Sequence, residues 1–118
     1  MNIELLRDYC IDKKGVTEEF PFDEKTLVFK VMAKMFALTD IEDNKSVNLK
    51  CQPDLAIKLR EQYPDSVFSG YHMNKKHWNT IIFDDRINDK KIFELIVVSY
   101  NLIIEKFTKM DKEKLKQL

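Results

Sequence analysis

The sequence predicts an α+β domain in two layers: an antiparallel sheet of four or five strands with helices packed on it, in the order α-β-β-β-α-β-α. Three observations predict it. Short apolar runs crowd residues 27–51 and are separated by turns too short for a crossover helix, so these strands pair antiparallel. Helical spacing frames them at residues 2–12 and 53–63. After residue 88 the chain is apolar around most of a helix, and a helix so apolar has to lie across the sheet.

Each element has its own local reason. Ile3, Leu5, Leu6, Tyr9 and Cys10 recur at helical spacing. Lys13 and Lys14 suit the negative end of that helix, and Gly15 can take the left-handed conformation that closes it. In the connector from Val16 to Glu24, Phe20-Pro21-Phe22 is expected as a short edge strand near residues 19–22, because proline cannot donate to a central ladder. Leu27, Phe29 and Val31 alternate with Val28 and Lys30, and Met35 to Thr39 follows at hairpin distance. After the polar turn Asp40 to Lys45, Val47, Leu49 and Cys51 face the core while Ser46, Asn48 and Lys50 face away. Pro53 and Asp54 open a helix whose inner stripe is Leu55, Leu59 and Tyr63, and Pro64 stops it. Residues 65–74 read as a loop, 76–83 as a strand and Asp84-Asp85 as a turn. Asn88 or Asp89 caps a last helix to about Phe107, and the lysine-rich residues 109–118 are expected to fray. No repeat or composition break divides residues 1–118, a length that suits one domain and supports a core without disulfides or metal.

The 20 basic and 20 acidic side chains cancel, against the cationic excess usual in nucleic-acid-binding domains. The cancellation is uneven. Residues 1–44 hold 6 basic and 10 acidic side chains, whereas residues 45–80 hold 6 and 3, so the start is acidic and the middle basic. Cys10 and Cys51 lie far apart among apolar neighbours and form no C-x-x-C; they read as small buried hydrophobes, which a reducing cytoplasm suits. Glu4, Arg7 and Asp8 stand where a signal peptide needs an apolar run. No stretch reaches the ~18 uncharged apolar residues of a membrane span. The expectation is a cytoplasmic protein without membrane contact.

Catalytic signatures are missing. With only Gly15 and Gly70, no glycine-rich phosphate loop can form, and there is no G-x-S-x-G elbow. His72 and His77, five residues apart, fall on opposite faces of a strand, and a metal would need carboxylates from elsewhere. A Cys10 or Cys51 nucleophile beside either histidine would need a pocket that stabilises a thiolate. Glu18-Glu19 and Asp23-Glu24 bracket Phe20-Pro21-Phe22, but acidic loop residues are far more often solvated surface than acid–base catalysts. Neither an enzyme nor a cofactor is expected.

The most distinctive segment, Tyr71 to Thr80, mixes cations, amides and aromatic planes. Lysine meets phosphate, asparagine reads base edges or sugar, and Trp or Tyr stacks on bases. A plain reading competes with this, in which Trp78 plugs the core while Lys75 and Lys76 hydrate a turn.

Gly15 to Phe22, Leu27 to Val31, Lys34 to Leu38, Asn48 to Cys51 and, most specifically, Gly70-Tyr71-His72-Met73-Asn74-Lys75-Lys76-His77-Trp78-Asn79 make the chain resemble the MmcQ/YjbR family of small bacterial proteins over nearly its whole length. The resemblance implies an α+β fold like that of CyaY-like proteins and secretion chaperones, no enzymatic activity, and DNA binding through hairpin wings. Carried onto the matching positions, the nucleic-acid contacts would be Lys30, Asn48, Lys50, Lys75, Lys76, His77, Trp78 and Asn79, with weak, salt-dependent binding. The alternative is a protein-interaction module, chaperone-like by fold, with a homodimer as one form it can take and no nucleic-acid role. Exposure of Trp78 or Tyr71 on a positive face favours nucleic acid; a large apolar patch favours a protein partner.

Overall fold

The computed structural model describes residues 1–70 and 73–118. Its elements are α1 (Ile3–Ile11), β1 (Val16–Glu19), β2 (Thr26–Val31), β3 (Lys34–Asp40), β4 (Ser46–Lys50), α2 (Pro53–Gln62), β5 (Val67–Ser69), β6 (Trp78–Ile82), α3 (Asp89–Glu105) and α4 (Lys109–Lys116). The strands form one sheet in the order β1-β2-β3-β4-β6-β5, and each pair is antiparallel. The class is α+β, as the periodicities predict.

The sheet nevertheless has six strands among the described residues, where four or five were expected. The first edge strand is Val16–Glu19 instead of Phe20-Pro21-Phe22: Val16 pairs with Val31, and Phe20 and Phe22 stay exposed beyond the last paired residue, Glu19. Val67–Ser69, inside the expected loop, pairs along β6 and buries Val67. Three residues are too few for a two-residue period to show.

The expected frayed tail is helix α4. Thr108 caps it by accepting a hydrogen bond from the Asp111 N–H at 3.1 Å. Leu115 anchors it in the core, where its Cδ1 would lie 2.6 Å from a Cβ built on Gly15. Gly15, at φ +75, therefore serves twice, as the left-handed residue and as the gap Leu115 fills. One anchoring leucine among lysines carries too little periodicity to be read in advance.

Register fixes the two faces of the sheet. Leu27, Phe29, Val31, Val47, Leu49, Val67 and Ile81 point to the helical layer, where they pack with Leu6 and Cys10 of α1, Leu59 of α2 and Ile92, Ile96 and Ile103 of α3. Thr26, Val28, Lys30, Met35, Leu38, Asn48, Lys50, Trp78 and Thr80 belong to the opposite face. Within that face Val28, Leu38 and Trp78 form a second, smaller cluster with Met35 and Met73.

A β-bulge interrupts β3. Phe29 pairs with Ala37 and Lys30 with Met35, which leaves Phe36 as the extra residue. The Ser99 hydroxyl of α3 repairs the ladder: it donates to the Phe36 carbonyl at 2.6 Å and accepts from the Lys50 N–H at 2.9 Å. Ser99→Ala strands both backbone groups away from water. It is expected to cost about 1–3 kcal/mol, read as a lower urea midpoint at unchanged slope.

Candidate nucleic-acid interface

The expected contact residues do not share one surface. Trp78 is 7% exposed and packs against Val28 and Leu38, so its ring offers no free plane to a base. The close approach of its backbone explains Gly70, where an added Cβ would lie 2.8 Å from the Cβ of Trp78. Asn79 faces the helical layer and is 1% exposed. Its Nδ2 donates to the Ala56 carbonyl at 3.2 Å and its Oδ1 accepts from Arg60 at 2.8 Å. Arg60 also reaches the Lys75 carbonyl at 3.3 Å, so Asn79 and Arg60 tie α2 to the loop before β6. Trp78 and Asn79 are thus both packed within the fold. Asn79 shares the strand phase of Ile81, and that alternation is the signal that places it inward.

The remaining residues divide. Lys30 lies on the open face, but its ammonium is ion-paired with Glu19 and β3 separates it from β4. Asn48 is half-buried and accepts a hydrogen bond from the Thr80 hydroxyl. Lys50 pairs in register with Trp78. Partial burial, with a smaller contribution from Lys106, lowers its pKa. Lys75 and Lys76 are exposed in the turn before β6, where Asn74 Oδ1 accepts from the Lys76 N–H at 3.0 Å. His77 is half-buried, and its carbonyl accepts from the Cys51 N–H at 2.8 Å. Lys50, Lys75, Lys76 and His77 thus come together at one end of the sheet. Tyr71 and His72 lie outside the described residues.

That end gathers other cations. The antiparallel register places the β2–β3 turn, the end of β4 and the start of β6 side by side. Lys34 and Lys50 therefore lie at the same end as Lys75 and Lys76. Lys13 and Lys14 follow α1 there: the Met32 N–H reaches the Gly15 carbonyl at 3.5 Å, and Lys14 Nζ donates to the Lys116 carbonyl at 2.6 Å. Helix α3 runs toward the same end and delivers Lys106, whose charge acts on Lys50. The opposite end holds Asp23, Glu24, Asp40, Glu42, Asp43, Asp84 and Asp85 in the turns around β2, β3, β4 and β6, where they outnumber Lys25, Lys45 and Arg86, of which Lys25 pairs with Glu42 and Arg86 with Asp84. Zero net charge conceals a molecule with a cationic end and an acidic end. This arrangement escaped sequence reading because the lysines come from segments nearly a hundred residues apart.

The open face also carries a groove of about 660 Å³, with Met35, Leu38 and Met73 among its apolar lining, Asn48 and Thr80 alongside, and Phe22, Asp23 and Asp40 bordering it. Among the described residues, no lysine or arginine lines it.

The groups considered for catalysis are otherwise engaged. Glu18 pairs with Arg7 at 2.5 Å, and Glu19 with Lys30. Asp23 accepts from the Thr26 N–H at 2.7 Å and the Lys25 N–H at 2.9 Å, which hold its carboxyl below the usual range. Burial pushes the Cys10 thiol up to about 12 and raises that of Cys51, the opposite of what a thiolate nucleophile needs. Both cysteines are free and buried, as their apolar neighbours predict. No cluster of three metal-ligating side chains occurs among the described residues, and no helix among them is long and apolar enough to cross a membrane.

The YjbR family model matches residues 11–102, from the end of α1 through most of α3. The chain belongs to the YjbR family. Helix α4 and its lysines lie beyond that match. The chain is 34% identical to YjbR of Escherichia coli K12, an uncharacterised protein, over 100% of both chains. It is 33% identical to YbdF of Escherichia coli O157:H7, also uncharacterised, over 82% of this chain and 80% of that one. A crystal structure of a Deinococcus radiodurans protein containing the DUF419 domain superposes with TM-score 0.90 at 41% identity, covering 97% of this chain and 87% of its own. A Pseudomonas syringae crystal structure superposes with TM-score 0.73 at 30% identity, covering 86% of this chain and 98% of its own. These likenesses establish the family and its small α+β domain.

Proposed function

We propose that this YjbR-family domain is a binding module that engages nucleic acid, DNA first, through its cationic end. One observation carries the reading: Lys50, Lys75 and Lys76 join Lys13, Lys14, Lys34 and Lys106 at a single end, where they outnumber Asp12 and Asp54, while Asp23, Asp40, Glu42, Asp43, Asp84 and Asp85 lie at the other. Separation of this kind orients a net-neutral molecule toward a phosphate backbone. The contacts are to phosphate and carry no sequence information, because Trp78 and Asn79 are packed inside.

Fluorescence anisotropy with a short labelled duplex tests this. Affinity is expected in the non-specific range of ~10⁻⁴ to 10⁻⁶ M, and about four of these lysines reaching phosphate at once give a log–log salt slope near −3.6. Lys75→Ala with Lys76→Ala should lower that slope by ~1.8 in magnitude. Lys30→Ala should leave it unchanged, since Lys30 is paired with Glu19. Absence of binding at ~50 mM salt with ~100 µM protein would remove the reading.

A protein-interaction role is the second reading. It is favoured by a different surface, the groove on the open sheet face.

A further inference from the structure

We infer that the groove on the open sheet face docks an extended peptide segment of a partner protein, one with apolar side chains and a lysine or arginine at one end. This goes beyond the nucleic-acid reading and does not depend on it. The groove's volume of about 660 Å³ lies between the helix-free face of β3 and β4 and the Met73 segment. Met35, Leu38 and Met73 form its apolar part, and the two methionines can adapt to varied apolar side chains. Phe22, 64% exposed, stands at the rim and supplies a further apolar surface.

Charge selects among occupants. Asp23 and Asp40 border the groove at the acidic end of the molecule, and the two backbone N–H groups on Asp23 Oδ1 favour the charged form of its carboxyl. Asp40 uses Oδ1 to cap the Glu42 and Asp43 N–H groups at 2.9 and 3.0 Å. A carboxylate has about four acceptor positions, so capacity remains for a guanidinium or ammonium. Phosphate would meet repulsion here, which separates this surface from the cationic end. Length also fits a peptide: from Met35 to Asp40 along β3 is roughly 17 Å at ~3.4 Å per residue, the span of about five extended residues.

The test is selection of random heptapeptides displayed on phage against the immobilised full chain, followed by titration of one enriched, fluorescein-labelled peptide. An apolar consensus ending in Lys or Arg is expected. With methionine methyls labelled for NMR, the peptide should shift Met35 and Met73 and leave Met110, on α4, in place. Asp23→Asn with Asp40→Asn keeps both turn-capping oxygens and should weaken binding about three- to tenfold at low salt, the scale of two exposed ion pairs. Thr80→Arg, placed on the groove wall, should abolish binding while the thermal melt and circular dichroism confirm the fold. Lys75→Ala with Lys76→Ala should not alter peptide affinity, so failure here and failure of the nucleic-acid reading are distinguishable. No enrichment, an acidic consensus, or binding that leaves Met35 and Met73 unshifted overturns the proposal. So does a Met35 and Met73 shift on simple dilution, which would make the groove an interface between copies of this chain.

Discussion

Trp78→Ala is expected to lower the free energy of unfolding by about 3–5 kcal/mol, the range for truncating a large buried aromatic side chain. The ring belongs to the second cluster of the sheet, with Val28 and Leu38 fully or nearly buried beside it and Met35 and Met73 packed around them. Removing it opens a cavity that these neighbours fill only in part. A stacking role would instead predict a loss of about 1–3 kcal/mol in single-strand affinity at unchanged stability. Urea unfolding monitored by far-UV circular dichroism, paired with a single-strand titration well below the midpoint, separates the two. A large drop in midpoint with little change in the affinity of the remaining folded protein is the expected result. An unchanged midpoint with lost affinity would return Trp78 to the binding surface.

Ile96→Ala comes next in size, at about 2–5 kcal/mol. Ile96 is 0% exposed in the middle of α3, the helix laid against β3 and β4, and it shares the core with Val47 and Leu49. One turn on, Tyr100 meets Phe36 edge-to-face at 5.5 Å, and its hydroxyl donates to the Lys14 carbonyl at 2.5 Å. Loss of Ile96 therefore loosens the seam that also holds the β3 bulge and the end of α1. Val98→Ala, on the exposed side of the same helix, is the control and should change stability by less than about 0.5 kcal/mol. A midpoint for Ile96→Ala equal to that of wild type would show that α3 is not central to the core.

The sequence by itself determined the class and the long elements. Helix α3 was legible because its apolar positions exceed one face, and β4 because Val47 and Leu49 alternate with Asn48 and Lys50 over five residues. Burial of Cys10 and Cys51 followed from their apolar neighbours. Periodicity reports which residues of one element share a side; it says nothing about the element that covers that side. For that reason the fate of Trp78 was open between a stacking plane and a core plug until Val28, Leu38 and Met73 were placed around it. Only the tertiary structure decided it, along with β5, too short to show a period, and α4, held by the single buried side chain of Leu115. The same holds for charge. Antiparallel strands reverse direction at each turn, so Lys34, Lys50 and Lys76 meet at one end and Asp23, Asp40 and Asp84 at the other, an alternation in space that a count along the chain averages to zero.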